Sequence, residues 1–418
     1  MPPSYFALRP LRMPSSSIPT PPRENRAAIA FILITAMFDV MAMGLVIPVL
    51  PTLITEFAGS NAAAGEWNGV LVALWAMMQF VCSPLIGSLS DRFGRRPVIL
   101  ISTAGLAADW VMMAMAPSMA WLVIGRIIGG VTSSSFTAVN AYMADITPPE
   151  GRARAYGLIG AAFGAGFVIG PALGGMLGVF GPRVPFWTAA ALSAIAFLYG
   201  LLVLPESLPK DRRMAFSWRR ANPVGALTLL RSHPELASLA TVNFLVYFSH
   251  HVFAAVYVLY ADHRYGIGTL GVGLLLAGAG VLDMVVQGLV VGPVTKRLGD
   301  RVTMLLGLFG GAFGLAMIAF AQSPLMFALA LIPNAAWGLA MPTIQAMMTR
   351  RVSEREQGQL QGANNSVGAI AGIGSPIFFG WIYAMTITTH PWAAFGIAAA
   401  VLLAASGVGV FVHRTSNE

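Results

Sequence analysis

The chain has 418 residues and a net charge of +8, and 56% of its residues are hydrophobic while only 10% are charged. Because soluble domains carry about 25% charged residues, this composition excludes an ordinary water-soluble enzyme and a disordered chain. It indicates an integral membrane protein. The single cysteine, Cys82, excludes an internal disulfide and a cysteine-based metal site.

Apolar stretches recur along the chain, each near the length of about 20 residues that a membrane-crossing helix needs. They are predicted at 27–50, 67–88, 97–117, 120–144, 155–179, 184–204, 235–260, 267–292, 302–321, 324–348, 359–386 and 390–412. The runs are continuous and do not alternate as the strands of a membrane β-barrel do. The sequence therefore predicts an all-α membrane protein with twelve transmembrane helices.

Polar segments divide this series into two groups of six. Residues 1–26 are rich in proline and serine and lack the apolar core of a signal peptide, so a disordered cytoplasmic N-terminal tail is expected. Two six-helix bundles are expected at 27–204 and 235–412. A cytoplasmic central loop, 205–234, separates them, and a short cytoplasmic tail, 413–418, follows.

The basic residues fall almost entirely on one side of this topology. The N-terminal tail, every second loop and the C-terminal tail hold 22 of the 25 Lys and Arg residues. Arg183 and Arg264 lie on the other side, and Arg126 falls within a span. Cytoplasmic loops carry an excess of Lys and Arg, so both termini are predicted to be cytoplasmic. The positive charge thus orients the chain in the lipid bilayer and does not indicate a nucleic-acid partner.

The two halves are internally similar when shifted by 205 residues. The shift pairs Gly87 with Gly292, Arg92 with Arg297, Gly94 with Gly299, Arg96 with Arg301, Gly157 with Gly362, Pro171 with Pro376 and Gly175 with Gly380. Duplicated halves are typical of transporters in which one half rocks against the other around a central site.

The loop after the second predicted span combines glycine, aspartate and arginine. Its candidate gating residues are Gly87, Asp91, Arg92, Gly94, Arg95 and Arg96. Asp91 is placed to accept charge-assisted hydrogen bonds from nearby arginines or from a helix N-terminus, and breaking that cluster would let the halves separate. The alternative is that the arginines only orient the chain. Lys296 stands where the second copy would have Asp91, so a weaker or differently built latch is expected there.

The loop at 87–96 resembles the signature of the major facilitator superfamily. The fifth span carries a glycine and proline pattern similar to the motif of the drug/proton antiporters within that superfamily. Its residues are Gly166, Gly170, Pro171, Gly174 and Gly175. Glycine at these spacings lets helices approach closely and proline bends a helix; generic tight packing is the alternative interpretation.

Several shorter stretches resemble the tetracycline/proton antiporters, and the similarity extends from about residue 28 to 395. They are Ser90–Val98, Ala141–Thr147, Gly170–Gly175 and Gly358–Gly362. The resemblance implies a proton-driven drug exporter of the bacterial inner membrane. It also matches Asp145 and Arg152 at the end of the fourth span and the loop after it, where a capping or loop-stabilising role is expected.

Four charged residues fall inside predicted spans: Asp39, Asp109, Arg126 and Asp283. Each costs at least about 2.5–3.5 kcal/mol at mid-helix, which argues for a function. The first three lie at similar depths and can form one buried cluster that takes up and releases a proton; a static ion pair is the alternative. The resemblance places these three where the antiporters need charged residues for transport. Gln79, in the second span, is a further candidate ligand of the substrate.

The second half departs from the antiporter pattern. Gly311 stands where the antiporters usually have an aspartate, and Asp283 stands where they often have a histidine. Either Asp283 has taken over proton handling, or the substrate differs from tetracycline.

These observations predict a proton-coupled exporter of amphipathic drugs, most simply of tetracycline-type antibiotics carrying a chelated divalent cation. The alternative is an exporter or symporter of another drug or metabolite. The chain shows no Walker A, HExxH or nucleophile–base pattern, so neither an enzyme nor ATP-driven transport is expected. No resident cofactor or metal is expected. One chain contains both halves, so a monomer is expected.

Overall fold

A computed structural model of the protein describes residues 23–133, 136–148, 151–216, 222, 227–353 and 356–411. Within these ranges every regular element is a helix, and the predicted all-α class is confirmed. Residues 1–22 of the predicted N-terminal tail, and the predicted C-terminal tail, lie outside the described ranges.

Eleven helical segments in the described part of the chain are long and apolar enough to cross a membrane. One of them, Thr269–Phe320, has 52 residues. It is therefore about 78 Å long, more than twice the roughly 30 Å hydrocarbon core of a bilayer. Gly299 within it has φ 79° and ψ 163°, outside the helical region, and divides the segment into span 8 (269–298) and span 9 (300–320). The other spans, numbered in chain order, are span 1 Ala27–Val46, span 2 Asn61–Phe93, span 3 Arg95–Ala114, span 4 Met119–Ile146, span 5 Arg154–Gly178, span 6 Val184–Val203, span 7 Ala237–Tyr265, span 10 Pro324–Thr349, span 11 Gln357–Thr386 and span 12 Ala393–Val410.

Some helix boundaries differ from the predicted ones. Span 1 ends at Val46, and a separate short helix, Leu50–Ala58, follows Pro48. Span 2 is longer at both ends than predicted. The Ser60 hydroxyl accepts a hydrogen bond from the backbone N–H of Ala63 at its start, 3.2 Å, which caps the helix. The described part of the central connection contains two 3-10 turns, Lys210–Arg212 and Pro234–Leu236, and a short helix, Thr228–Ser232.

Within the described residues, spans 8 and 10 contain turns that are not α-helical. Span 10 consists of Pro324–Leu329, Leu331–Ala335, a 3-10 turn at Ala336–Leu339, and Ala340–Thr349. Span 8 contains a π-helical turn at Val286–Val290. Such turns inside α-helices are frequent at functional sites, so both positions are of interest for the chemistry of the protein.

The packing of the spans repeats between the two halves. Span 1 packs on spans 5 and 6, span 3 on span 6, and span 2 on span 4. In the second half, span 7 packs on spans 11 and 12, and span 9 on span 12. The halves meet mainly through two equivalent contacts, span 2 with span 11 and span 5 with span 8, and span 2 also touches span 7.

The two ends of the bundle differ in these contacts. We call the end with the loop 89–97 the basic side, and the end with the turns at Gly59, Gly181 and Gly266 the opposite side. Toward the opposite side, a Cβ atom on Gly175 would lie 2.6 Å from the carbonyl oxygen of Thr269. Toward the basic side, a Cβ atom on Gly157 or Gly292 would meet nothing within 4 Å. Close backbone contact between spans 5 and 8 therefore lies toward the opposite side.

Candidate functional site

The loop between spans 2 and 3 is organised around the guanidinium of Arg95, a residue that is 9% exposed. This group donates hydrogen bonds to Asp91 at 2.6 Å, to Ser90 at 2.7 Å and to Asp145 at 3.2 Å. Both ion pairs join residues of the first half. In this conformation the cluster therefore ties together the basic ends of spans 2, 3 and 4, and these pairs do not bridge the two halves.

The backbone of the same loop is held by a residue that the sequence analysis did not select. Gly94, with φ 105°, turns the chain between the two spans. The Arg95 N–H then donates to Glu206 Oε1 at 2.8 Å, and Arg213 lies 3.7 Å from the same carboxylate. Glu206 lies 111 residues further along the chain, and no local pattern marks it.

The other candidate gating residues have separate contacts. The guanidinium of Arg92 stacks over the neighbouring Phe93 ring, 5.1 Å from its centroid. Arg96 donates to the carbonyl of Leu201 at 2.9 Å. Arg152 donates to the carbonyl of Ala144 at 3.3 Å, near the end of span 4, as a capping role requires. Gly87 lies beside Thr137, whose methyl group would be 3.3 Å from an added Cβ.

A cavity of about 210 Å³ in the first half brings four of the candidate transport residues together. Spans 1 to 4 each supply one of them, and the four are Asp39, Gln79, Asp109 and Arg126. Asp109 and Arg126 are buried, at 2% and 8% exposure. Trp75, Trp110, Phe136 and Phe163 add aromatic walls. We call this space the first-half cavity.

The charged groups of the first-half cavity are not paired with one another. Among the described residues, no ion pair within 4.0 Å joins Arg126 to Asp39 or Asp109. Both carboxylate oxygens of Asp109, Oδ1 of Asp39 and Nε of Arg126 are buried without a hydrogen-bond partner in the described part of the chain. Buried polar atoms are normally satisfied, so these groups are available to a proton or a ligand. In this conformation the three charged side chains share a cavity without a direct ion pair.

Small residues of span 4 make room for Asp109. A Cβ atom on Gly129 would lie 2.7 Å from Asp109 Oδ2, and one on Gly125 would lie 3.1 Å from Oδ1. Arg126 lies between these glycines in sequence, and its guanidinium carbon is 5.7 Å from the centroid of the Trp110 ring. The two glycines thus allow the carboxylate to lie against the helix that carries the arginine.

Asp283 does not join this cluster. It lines a second cavity of about 270 Å³, which we call the second-half cavity, together with Gln287 and His250. Gln287 Nε2 donates to Asp283 Oδ2 at 2.7 Å. Gln287 belongs to the π-helical turn of span 8. The structure therefore separates the four intramembrane charges into a group of three and a single carboxylate.

Gly311 is closely packed. A Cβ atom added there would lie 2.9 Å from Leu402 Cδ2 and 3.0 Å from Trp337 Cγ. Trp337 belongs to the 3-10 turn of span 10 and is 6% exposed. The space that an aspartate would need is thus filled by a tryptophan from a different span.

The glycine and proline motif of span 5 faces two neighbours. Cβ atoms on Gly166 and Gly170 would lie 2.7 Å from carbonyl oxygens of span 1, and Gly174 also packs directly on span 1. Gly175 and the carbonyl of Pro171 instead contact Gly273 of span 8, in the other half. Span 5 therefore packs both on span 1 of its own half and on span 8 across the interface between the halves.

Outside the spans, Glu356 precedes span 11. The backbone N–H and hydroxyl of Ser353 donate hydrogen bonds to its carboxylate and lower the pKa of that group. His233, in the central connection, lies 3.7 Å away. The contact links the central connection to the start of span 11.

The fold and the two cavities define a helical membrane transporter built from two similar halves. The model of the Major Facilitator Superfamily matches residues 32–376 and 239–417, and the chain belongs to that family. It is 39% identical to the tetracycline resistance protein, class C, of Escherichia coli, over 91% of this chain and 96% of that protein. It is also 39% identical to the class G protein of Vibrio anguillarum, over 86% and 91% of the two chains. The resemblance described for the sequence is confirmed.

Solved structures show the same fold at low sequence identity. A bacterial homologue of the human lysosomal transporter Spinster, in an inward-facing and unoccupied conformation, has a TM-score of 0.75 and 17% identity. The match covers 95% of this chain and 100% of that one. The human organic anion transporter TETRAN has a TM-score of 0.68 and 23% identity, with 93% and 100% covered.

Proposed function

We propose that this protein is a proton-coupled exporter of tetracycline-type drugs in the bacterial inner membrane, working by alternating access as a monomer. The similarity to six classes of tetracycline resistance protein supports the substrate class. The excess of Lys and Arg on the basic side supports a cytoplasmic position for that side and for both termini.

The observation that carries this proposal is the unpaired charge of the first-half cavity. Asp39 and Asp109 offer carboxylate oxygens that no donor in the described chain occupies, and Arg126 lies on the neighbouring span. A tetracycline bound with a chelated divalent cation would present positive charge to these oxygens. Proton binding removes the negative charge that attracts the cation, so protons and drug compete for the same groups.

Such competition converts a proton gradient into export. A ligand shifts a conformational equilibrium only by its different affinity for the two states. When the cavity faces outward, protons from the more acidic medium outside the membrane displace the drug from Asp39 and Asp109. When it faces the cytoplasm, proton release restores the carboxylates and the drug binds again. Gln79 is placed to hydrogen-bond the polar face of the drug, and Arg126 balances the charge that remains.

The two helix contacts on the opposite side hold the halves together there, and they have to separate before the cavity can open to that side. Span 2 meets span 11, and span 5 meets span 8, with glycine at both contacts. Export requires these contacts to separate while the basic side closes. The Arg95 cluster keeps the basic ends of spans 2, 3 and 4 together as one unit during that movement.

The test is tetracycline uptake into everted membrane vesicles from efflux-deficient bacteria that express the chain. With the vesicle interior acidified, uptake is expected for the unaltered protein and is expected to stop when the gradient is collapsed. Asp39→Asn is expected to insert normally and to lose uptake at least about ten-fold, since one proton site is lost. Asp211→Asn removes an exposed carboxylate of the central connection and is the matched control.

Full uptake by Asp39→Asn would overturn the role of that residue. Absence of uptake by the unaltered, well-inserted protein would overturn tetracycline as the substrate. The departures at Gly311 and Asp283 would then favour an exporter of another drug or a small metabolite. A medium that becomes alkaline on substrate addition would instead indicate a symporter.

A further inference from the structure

The second-half cavity contains a carboxylate without a cationic partner. Asp283 Oδ2 accepts a hydrogen bond from the neutral amide of Gln287, and no Lys, Arg or His nitrogen lies within 4.0 Å of the carboxylate in the described ranges. Its Oδ1 lies against Gly338, where an added Cβ would be only 2.7 Å away. The negative charge is therefore held at the wall of the cavity by two uncharged neighbours.

Aromatic side chains form part of the remaining walls of this cavity, beside aliphatic side chains and the ring of His250. Phe253 and Tyr257 come from span 7, and Trp337 comes from span 10. The faces of such rings attract cations, and the attraction grows when water is excluded. Asn334 Oδ1 and Tyr257 Oη also line the cavity region as buried oxygens without a hydrogen-bond partner among the described residues. The site thus offers a carboxylate, aromatic faces and neutral acceptor oxygens.

The backbone around Asp283 is irregular on both sides of the cavity. The π-helical turn Val286–Val290 follows the aspartate directly, and the 3-10 turn Ala336–Leu339 carries Gly338 and Trp337. One irregular turn places Gln287 on the carboxylate, and the other presents a glycine to it. The two irregular turns together hold the Asp283 carboxylate at a fixed position in the cavity wall.

We propose that the second-half cavity binds a monovalent aromatic organic cation, with Asp283 as its counter-ion. Ca²⁺ takes six to eight oxygen ligands, which one carboxylate cannot supply, and the described residues hold no group of three His, Cys, Asp or Glu side chains that could bind another metal ion. An anionic ligand would be repelled, and a neutral one would leave the carboxylate unpaired. This substrate class lies beyond the tetracyclines, and the inference rests on the proposed function only in treating the bound cation as transported cargo.

The volume and position of the cavity fit such a ligand. Its 270 Å³ lies close to the lower end of the roughly 300–1,000 Å³ of pockets that hold drug-sized molecules. Phe167 of span 5 also lines it, so one wall comes from the first half. Because the two halves move against each other in alternating access, a ligand that contacts both has a different affinity in each state.

The test uses radiolabelled N-methyl-4-phenylpyridinium, a flat monovalent cation, and the purified full-length protein. Saturable binding is expected, and neutral 4-phenylpyridine is expected to compete at least about ten-fold less well at pH 8. Asp283→Asn is expected to weaken binding at least ten-fold, while Asp283→Glu retains most of it because the charge remains. Asp211→Asn, which removes an exposed carboxylate that lines neither cavity, is expected to bind as the unaltered protein does.

Equal binding by Asp283→Asn and the unaltered protein would overturn the proposal, as would equal competition by the neutral analogue or no saturable binding at all. Tetracycline uptake is measured on the same variants in vesicles. Cation binding that depends on Asp283, without any tetracycline uptake, would overturn the proposed function and leave this inference standing. Tetracycline uptake without cation binding would do the reverse.

Discussion

Asp300 and Arg350 form an ion pair of 2.6 Å that is the charge-reversed counterpart of a pair in the first half. Under the 205-residue shift, Asp300 corresponds to Arg95 and Arg350 to Asp145, and the latter two also pair, at 3.2 Å. Lys296 corresponds to Asp91, so the third charge is reversed as well. The charges are therefore exchanged at three positions, and one of the two first-half ion pairs has a counterpart, whereas Lys296 forms no ion pair within 4.0 Å among the described residues.

The ion pair of Asp300 with Arg350 can be tested by exchanging the two residues. Asp300 is 4% exposed at its side chain and Arg350 is 57% exposed, so losing the arginine leaves a buried carboxylate without its partner. Arg350→Ala is expected to lower the free energy of unfolding by about 1–3 kcal/mol. Asp300→Arg combined with Arg350→Asp is expected to recover part of that loss. Thermal unfolding in detergent measures both, and Arg297→Ala, on an exposed side chain of the same loop, is the control. A double variant no more stable than Arg350→Ala would contradict the pairing.

The geometry of Arg95 makes a specific prediction about lysine. The guanidinium reaches Asp91, Asp145 and Ser90 at once, which a single ammonium group on a flexible chain does not reproduce. Arg95→Lys is expected to lower stability by about 1–2 kcal/mol although the charge is kept. Arg154→Lys, at an exposed arginine near the start of span 5, is expected to change it little. Equal melting temperatures for the two variants would contradict this account.

The contact between spans 2 and 11 predicts a strong effect of a small substitution. A Cβ atom on Gly69 would overlap the carbonyl oxygen of Pro376, whereas one on Gly374 would meet nothing within 4 Å. Gly69→Ala is expected to keep each half folded and to reduce drug uptake into everted vesicles at least about ten-fold, because the opposite side cannot close. Gly374→Ala is the matched control, on the other helix of the same contact. Normal uptake by Gly69→Ala would show that this closure is not needed for transport.

Restoring the aspartate of the antiporter pattern is not expected to improve transport. Gly311→Asp places a carboxylate against Trp337 and Leu402, where no space exists, and a lower yield of folded protein is expected. Combining it with Trp337→Ala opens the space and is expected to recover yield relative to the single variant. Size-exclusion profiles of the purified variants check both outcomes. A normal amount of folded Gly311→Asp protein would mean that the surrounding helices move apart more easily than the contacts indicate.

Hydropathy and the repeat predicted the helical class, and the depth of three charged residues suggested one cluster. The structure indeed places Asp39, Asp109 and Arg126 around one cavity, because helices of similar length hold mid-span residues at similar depths. Asp283 belongs to the second bundle and was not assigned to this cluster. Depth alone does not give direction around a helix, so its contacts with Gln287 and Gly338 were not predictable.

Long-range partners were also invisible in the sequence. Glu206 reaches the loop at Arg95 only because span 6 packs on span 3, and Trp337 fills the space beside Gly311 only because span 10 packs on span 9. Local patterns also did not indicate the π-helical turn after Asp283, since apolar runs look alike in α and π geometry.

The glycine contacts on the opposite side have a further consequence for the cell. Where Gly69 meets Pro376 and Gly175 meets Gly273, backbone touches backbone with no side chain between. At these two points no space remains for a water molecule between the helices. Tight backbone contacts of this kind favour a transporter that does not conduct protons at rest, which is a requirement in any membrane that stores energy as a proton gradient.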